Sequence, residues 1–313
     1  MQPADINAPA HGAYAELDEL IALRFPAKQL QLGRRTRALS NLAGPIKSNF
    51  RGRGIDFEEV RTYQPGDDIR TIDWRVTART GNAHTKLFRE ERERPVLVVV
   101  DQRNSMFFGS SHCFKSVLAG HLASLLAWSA LNGGDRVGGL VFNELGHQEI
   151  RPRRSRKTVL MLLSQIASYN ASLPVDSTSE ADHFASMLSN LRRIARPGSS
   201  LFLISDFRGA SQEGAREHLF ELAKHTELTA LACSDPMEAE LPRAGTYAVT
   251  NGTERSELQT GDRQLRDSYR QRQQQQHAML SDDLIRLGVP LLRASTDRPP
   301  FGLLQTYFGD KRR

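Results

Sequence analysis

The segment VLVVV at residues 96–100 constrains the fold more than any other part of the chain. An unbroken run of β-branched and aliphatic residues is typical of a strand buried on both faces, as in a parallel sheet covered by helices. An apolar, alanine-containing helix is predicted over residues 114–131, and a second strand over residues 136–142. A β-α-β alternation therefore begins at this point of the chain.

The same alternation continues toward the C-terminus. Helices are predicted over residues 156–168, 180–195, 212–224 and 261–287, and strands over residues 201–205, 227–233 and 289–293. Strands that alternate with helices of this length favour a doubly wound, mainly parallel sheet with right-handed crossovers and helices on its faces. The predicted fold class is therefore α/β, with the main domain at residues 95–313.

The chain before this domain has a different composition. We expect an N-terminal helical and basic segment at residues 1–40 and a small β-rich module at residues 41–94. The N-terminus lacks the pattern of a secretory signal, and no stretch reaches the ~20 apolar residues of a transmembrane helix. Cys113 and Cys233 form neither a disulfide framework nor a metal-binding spacing, so we expect a cytoplasmic protein.

The net charge of +6 comes from 42 Lys and Arg against 36 Asp and Glu, and much of the surplus lies in two acid-free stretches, residues 21–54 and 151–157. Phosphates, an acidic partner or lipid headgroups would all suit these stretches. Aromatic residues are sparse there and no nucleic-acid-binding motif accompanies them, so nucleic acid is the less favoured partner. The candidate contacts are Arg34, Arg35, Arg37, Arg51, Arg53, Arg151, Arg153 and Arg154.

Acidic residues lie within two positions of the carboxyl ends of the predicted strands. Asp101 follows the strand at 96–100, Glu144 follows the strand at 136–142, and Asp206 and Asp235 follow the next two. Because ligands bind outside the carboxyl ends of parallel strands, these side chains are expected to gather on one rim of the sheet. Such carboxylates bind a cation, pair with arginines or carry raised pKa values, and composition does not choose between these outcomes.

Several separate stretches together resemble one family. They are GRGIDFEEVRTYQPGDDIRTIDWRVTART at 52–80, ERERPVLVVVD ending at residue 101, SMFFGS at 105–110, GDRVGGLVF at 134–142, LISDF at 203–207 and SDPMEAELP at 234–242. Over nearly its whole length the chain is similar to the bacterial domain of unknown function 58 proteins. The resemblance implies a von Willebrand A-like domain preceded by a short module. It also implies a non-enzymatic adaptor or chaperone-like role with a MoxR-type AAA+ ATPase and client proteins.

The resemblance further implies a metal-ion-dependent adhesion site, in which a DxSxS loop, a threonine and a later aspartate hold Mg²⁺. The matching residues are Asp101, Ser105, Thr178 and Asp206, whereas Arg103 stands in place of the first serine. A guanidinium has no lone pair to offer a cation. Arg103 therefore either forks onto Asp101 or Asp206 in place of the ion, or turns outward toward a partner's carboxylate and leaves a weakened Mg²⁺ site.

A second charged stretch surrounds the turn at residues 65–66 and contains Asp67, Asp68, Asp73 and Arg75. It is either a docking surface that extends the rim, or a structural network in which arginines pair with the acids while Trp74 packs beneath. Pairing with arginine keeps a carboxylate ionised and makes it a poor general acid or base.

Common enzyme motifs are absent from the sequence, including the GxxxxGK phosphate loop, the GxSxG elbow and HExxH. The glutamine-rich run QRQQQQH at residues 271–277 is predicted to be a solvated helix face. The predicted function is therefore binding without catalysis. A basic nucleic-acid or membrane-surface binder and a hydrolase that uses the acidic rim are the alternatives.

Overall fold

A computed structural model of the chain describes residues 6–32, 56–64, 67, 69, 72–89, 95–172, 183–242, 244–250 and 255–309. The chain divides into two compact units, one made of Met1–Ser48 with Arg94–Arg313 and the other of Asn49–Glu93.

The N-terminal part of the larger unit contains helix α1, Leu17–Ala22, and a 3₁₀ turn at Pro26–Gln29. Leu20 and Leu30 lie in the same core cluster as the central sheet. Two hydroxyls fix this segment, because Ser124 Oγ donates to the Leu20 carbonyl at 2.5 Å and Ser129 Oγ donates to the Leu30 carbonyl at 3.0 Å. The segment therefore belongs to the core of the larger unit.

The smaller unit contains an antiparallel pair of strands, β1 at Asp56–Thr62 and β2 at His84–Arg89, with helix α2 at Trp74–Thr80. Asp73 caps α2 by accepting hydrogen bonds from the backbone N–H groups of the next two helical residues after Trp74. Gly81 ends the helix in the left-handed conformation that glycine adopts at no steric cost.

The larger unit is built on a six-stranded sheet whose order is β10-β7-β6-β3-β4-β5. Its strands are β3 at Pro95–Asp101, β4 at Arg136–Asn143, β5 at Gly146–Arg153, β6 at Ser200–Ser205, β7 at Glu227–Ser234 and β10 at Leu291–Ser295. All neighbours pair in parallel except β5, which pairs antiparallel with β4 at the sheet edge. A separate hairpin joins β8 at Thr246–Thr250 to β9 at Arg255–Gln259.

Helices cover both faces of this sheet. They are α3 at Lys115–Asn132, α4 at Arg156–Ala171, α5 at His183–Ile194, α6 at Glu213–His225, α7 at Pro236–Ala239, α8 at Arg263–Arg286 and α9 at Pro300–Phe308. Along β3, Val96, Val98 and Val100 pack with α3, α4 and α9, whereas Leu97 and Val99 pack with α5 and α6. Alternate side chains of β3 thus pack into two separate cores, one on each face of the sheet. The sequence of β3 is apolar throughout because both faces are buried.

The predicted α/β fold class, with a mainly parallel sheet flanked by helices, is confirmed. The predicted strands and helices of the main domain are present, with ends that differ by a few residues. Strand β5 and the β8–β9 hairpin were not predicted, because their sequences are short and largely polar. Within the described ranges, no helix is long and apolar enough to cross a bilayer.

Candidate functional site

A buried ion pair between Asp101 and Arg103 lies at the carboxyl end of β3. Arg103 Nε donates to Asp101 Oδ1 at 3.0 Å, and Arg103 Nη2 donates to Asp101 Oδ2 at 2.7 Å. The Arg103 backbone N–H also donates to Asp101 Oδ1 at 2.9 Å. Ser205 Oγ at the end of β6 donates to Asp101 Oδ2 at 2.6 Å. Both carboxylate oxygens of Asp101 are therefore engaged by the protein itself.

Arg103 points inward rather than toward solvent. Its side chain is only 3% exposed, and its guanidinium carbon lies 4.8 Å from the ring centre of Phe184 and 5.7 Å from that of Phe142. Nη2 lies 3.5 Å from Asp206 Oδ1, and Nη1 donates to the Arg208 carbonyl at 3.2 Å. Two arrangements were considered for Arg103, pairing with Asp101 or Asp206 and turning outward toward a partner. The structure shows the first, in which the guanidinium is paired inside the protein and offers no surface charge to a partner.

Lys115, the first residue of α3, supplies a second buried cation that the sequence reasoning missed. Its side chain is 1% exposed, and Nζ lies 3.1 Å from Asp206 Oδ2 and 2.6 Å from Glu238 Oε1. The sequence does carry a signal for it, because Lys115 is the only charged residue in an otherwise apolar helix. A buried ammonium must find a counter-charge, so such a lysine predicts a carboxylate partner. We call Asp101, Arg103, Lys115, Asp206 and Glu238 the edge site.

The charges of the edge site stabilise one another. Burial raises the pKa of Asp206, but Lys115 and Arg103 outweigh it and hold that pKa well below its usual range. Burial likewise lowers the pKa of Lys115, and the negative charges of Asp206 and Glu238 reverse the effect, so the pKa of Lys115 lies above its ordinary value. Asp206 and Lys115 therefore stay charged near neutral pH.

Ser105 and Phe207, in the loops that follow β3 and β6, lie in unusual environments. Ser105 Oγ is buried and has no hydrogen-bond partner of normal geometry among the residues that the structure describes, although the hydroxyl lies near enough to Asp206 to help lower its pKa. Phe207, directly after Asp206, has φ of 57°, a region that non-glycine residues adopt rarely. Its ring is buried against Phe184, with ring centres 6.2 Å apart. Packing thus holds a strained backbone beside Asp206.

The other acids predicted for the rim hold the loop that follows β3. Glu144 Oε1 accepts from the Asn104 N–H at 2.7 Å, and Asp235 Oδ2 accepts from the Ser110 N–H at 2.8 Å and from Thr296 Oγ1 at 2.5 Å. Burial raises the pKa of Glu144, and the nearby charge of Asp101 adds to the effect. These acids position backbone rather than face an open site.

The residues of the edge site do not fit the Mg²⁺ of an adhesion site. Mg²⁺ requires oxygen ligands with free lone pairs in near-octahedral geometry. Here an ammonium and a guanidinium already contact the carboxylates of Asp101 and Asp206. Among the residues that the structure describes, no three His, Cys, Asp or Glu side chains are arranged to hold a metal ion. Thr178, the predicted threonine ligand, lies outside the described residues.

In the smaller unit, the predicted charged residues perform local structural tasks. Asp67 pairs with Arg61 at 2.7 Å and accepts from the Gln64 N–H at 2.9 Å. Asp73 caps α2, and its Oδ1 accepts from the Arg75 N–H at 3.0 Å. The expectation that Trp74 packs beneath the network is wrong, because this side chain is 68% exposed. Asp68 lies outside the described residues.

The predicted basic contacts are only partly described. Arg151 and Arg153 lie exposed on β5, and Arg154 follows it, also exposed. These three arginines therefore lie along the outer strand β5 of the sheet. In the sequence they are far from every residue of the edge site, which lies at the carboxyl ends of the central strands. The remaining candidates, Arg34, Arg35, Arg37, Arg51 and Arg53, lie outside the described residues.

Solved structures with a similar fold have low overall similarity to this chain. The protein BatB of Bacteroides thetaiotaomicron is 18% identical, with a TM-score of 0.42, over 64% of this chain and 90% of its own. An aerotolerance-related membrane protein of Bacteroides fragilis is 14% identical, with a TM-score of 0.44, over 68% of this chain and 96% of its own.

Sequence comparison gives a closer relationship. Uncharacterized protein Rv1480 of Mycobacterium tuberculosis and uncharacterized protein Mb1516 of Mycobacterium bovis are each 30% identical over 263 residues, which is 84% of this chain and 81% of theirs. The family model described as "Protein of unknown function DUF58" matches residues 59–279. The chain therefore belongs to the DUF58 family.

Proposed function

We propose that this protein is a non-enzymatic interaction adaptor or chaperone-like factor that acts in the cytoplasm. It works with a MoxR-type AAA+ ATPase in the maturation of client proteins or complexes. Membership in the DUF58 family supports a function shared with other proteins of that family. The ATPase partnership rests on the family resemblance of the sequence motifs. One observation carries the non-enzymatic part: the charged groups of the edge site are buried and paired with each other.

This pairing disfavours catalysis at the edge site. A general base works best when its pKa lies near the operating pH. The pKa of Asp206 is held well below its usual range, so this carboxylate takes up no proton near neutral pH. Glu144 has a raised pKa, but it is 9% exposed and its second oxygen is buried, which keeps it from a substrate.

The surface available to a partner is the loop that Asp101 organises. This loop joins β3 to α3, its residue Phe108 is 40% exposed, and the polar residues Ser110 and Ser111 are also exposed. Asp101 holds both the backbone and the side chain of Arg103, where this loop begins. Removal of the Asp101 carboxylate is therefore expected to change the shape of the loop and weaken a partner bound to it.

The test is an affinity pull-down from native lysate, read by mass spectrometry, with the wild type, Asp101→Ala and the exposed control Glu217→Ala on α6. Circular dichroism checks that each variant is folded. We expect an AAA+ ATPase with the wild type and Glu217→Ala, and much less with Asp101→Ala. Absence of any AAA+ ATPase from all three samples would count against the partnership. Catalytic turnover by the purified protein that is lost in Asp206→Asn would instead establish the hydrolase alternative.

A second candidate function, binding to nucleic acid or to an anionic membrane surface, is favoured by the exposed arginines at β5. Substitution of Arg151, Arg153 and Arg154 by Glu is expected to abolish polyanion binding if this candidate is correct. If the adaptor proposal is correct instead, the same substitutions are expected to leave ATPase association largely intact. Because each phosphate contact releases counterions, such binding would also weaken steeply with added salt.

A further inference from the structure

A cavity of about 560 Å³ opens at the carboxyl ends of β6 and β7, beside the edge site. The loop after β6 forms one wall and helix α8 forms the other, with Arg293 of β10 at the side. Cavities that bind small molecules in proteins typically enclose ~300–1,000 Å³. The size and position of this cavity are therefore those of a ligand site.

Helix α8 turns a polar stripe toward the sheet. Tyr269, Gln273, His277 and Leu280 follow one another at helical spacing, are half-buried, and line the cavity. A helix that only packs against a sheet presents an apolar stripe at this spacing. The prediction that residues 271–277 form a solvated face holds for the exposed residues 271, 272 and 274–276 but not for Gln273 and His277, which are half-buried. The polar stripe leaves an unfilled space lined with hydrogen-bonding groups.

The cavity wall carries an excess of positive charge. Arg208, Arg272 and Arg293 line it, and no carboxylate in the described part of the chain lies within 4 Å of their guanidinium groups. By contrast, Arg270 on the same helix does pair with Glu240, at 3.2 Å. The two carboxylates on the wall, Asp206 and Glu238, are both bound to Lys115. Three exposed guanidinium groups without a carboxylate partner among the described residues thus line one space, and Arg293 also donates to the His277 carbonyl at 3.4 Å.

The pKa of His277 reflects burial and two neighbouring charges. Burial lowers this pKa, the charge of Arg293 lowers it further, and the charge of Glu238 acts in the opposite direction. His277 is therefore neutral at physiological pH and offers a ring nitrogen as a hydrogen-bond donor or acceptor. Gln273, Gln276 and Tyr269 add further hydrogen-bonding groups to the wall.

We infer that this cavity binds a compact, multiply charged oxyanion, that is, a small molecule carrying phosphate or several carboxylates. Planar guanidinium groups form paired hydrogen bonds with either kind of group, and three of them around one space favour more than one negative charge. The wall of this binding site shares Asp206 and Glu238 with the edge site, but the groups that bind the anion are Arg208, Arg272 and Arg293, and the inference does not depend on the proposed ATPase partnership.

The test measures binding of inorganic pyrophosphate and of citrate to the full chain by calorimetry at constant ionic strength. The variants are Arg208→Gln and Arg272→Gln, with Arg286→Gln as the control, since Arg286 lies on α8 outside the cavity. We expect the wild type and the control to bind at least one anion alike, and each cavity variant to bind about tenfold more weakly or worse. The stronger anion identifies whether phosphate or carboxylate is preferred.

Three outcomes would overturn the inference. The first is that neither anion binds the wild type, and the second is that Arg286→Gln loses affinity as much as the cavity variants, which would indicate non-specific attraction. The third is that an acidic peptide binds through Arg208 and Arg272 while both small anions fail, because the cavity would then be a protein-docking surface. Unchanged melting curves of the variants in buffer alone confirm that any loss of binding is local.

Discussion

Two buried cations determine the character of the edge site. Arg103 and Lys115 lie on either side of Asp206, and each also holds a second carboxylate, Asp101 for Arg103 and Glu238 for Lys115. Burying charges is costly, and their mutual attraction offsets this cost only when geometry and hydrogen bonding are good. Removing one partner is worse than removing both, since it leaves a buried charge without compensation.

This arrangement predicts how the edge site responds to Mg²⁺. In the wild type, Mg²⁺ at constant ionic strength is expected to leave the melting temperature unchanged, because the carboxylates are already paired. In Arg103→Ser with Lys115→Met, Asp101 and Asp206 lose their cations and a divalent ion is expected to compensate them. Thermal unfolding with and without Mg²⁺ measures this, and saturation to about a hundredfold above the dissociation constant would add ~2.7 kcal/mol.

The added substitution Asp206→Asn serves as the control for that experiment. It removes one of the two carboxylates and is expected to abolish most of the Mg²⁺ response of the double variant. If the double variant is too unstable to purify, Arg103→Ser alone provides a milder comparison. In that variant Lys115 still pairs with Asp206 and limits the rise in melting temperature with Mg²⁺. A clear rise of the wild-type melting temperature with Mg²⁺ would contradict the view that protein cations replace the ion.

Among the elements, strand β4 lies between β3 and the bulged edge strand β5. The register between β4 and β5 shifts between Val137 and Gly139. A Cβ atom added to Gly139 would lie 2.2 Å from the Val98 carbonyl oxygen, and one added to Gly138 would lie 2.5 Å from the Ile150 carbonyl oxygen. The consecutive glycines in GDRVGGLVF thus permit close approach of both neighbouring strands.

Gly139→Ala is therefore expected to destabilise the protein by ~1–3 kcal/mol or more, since the added methyl meets backbone that cannot move without breaking the sheet. Gly261→Ala is the matched control, because nothing lies within 4 Å of its added Cβ. Urea unfolding followed by circular dichroism gives both free energies of unfolding. Equal stabilities of the two variants would show that β4 has more room than the structure indicates.

The elements also show why prediction from sequence succeeded unevenly. Strands such as β3 and β6 are buried on both faces, so their apolar runs are unmistakable, and the amphipathic pattern of α5 is equally clear. In β5 only Ile150 and Pro152 are not exposed, so the hydrophobic pattern that identifies strands is missing. The exposed Arg151 and Arg153 on this edge also prevent pairing with a further strand, a structural role that does not require a nucleic-acid partner.

For the whole molecule, the predictable part of the edge site was the part close to the strands. Asp101 and Asp206 were found because parallel strands present their carboxyl ends at the same edge. Lys115 was missed although its position in a largely apolar helix signals a buried cation, and Glu238 was missed because the Lys115–Glu238 pair spans 123 residues of sequence. A pairing across such a distance leaves no local pattern that identifies the partner.

The N-terminal segment is likewise connected to the edge site through buried polar groups. Asn170 on α4 accepts from the Ala15 N–H at 2.6 Å and donates to Gln102 Oε1 at 3.0 Å. Gln102, next to Asp101, in turn donates to the Ser116 carbonyl at 3.0 Å. Buried networks of this kind fix one arrangement of the groups they join. The segment therefore contributes to the geometry of the loop after β3 as well as to the core.

This connection predicts that Leu20→Ala destabilises the entire larger unit rather than fraying one end. Leu20 is fully buried in the main core cluster, and a cavity left by removing such a side chain costs ~2–5 kcal/mol. Leu145→Ala is the control with the same chemical change, because Leu145 is 77% exposed and should lose little. Urea unfolding is expected to remain a single transition with a lower midpoint in Leu20→Ala. The prediction is contradicted if a separate early transition appears and the remaining structure is as stable as in the wild type. Such a result would show that the N-terminal segment folds independently of the sheet, because a shared core cannot lose one part and keep its stability.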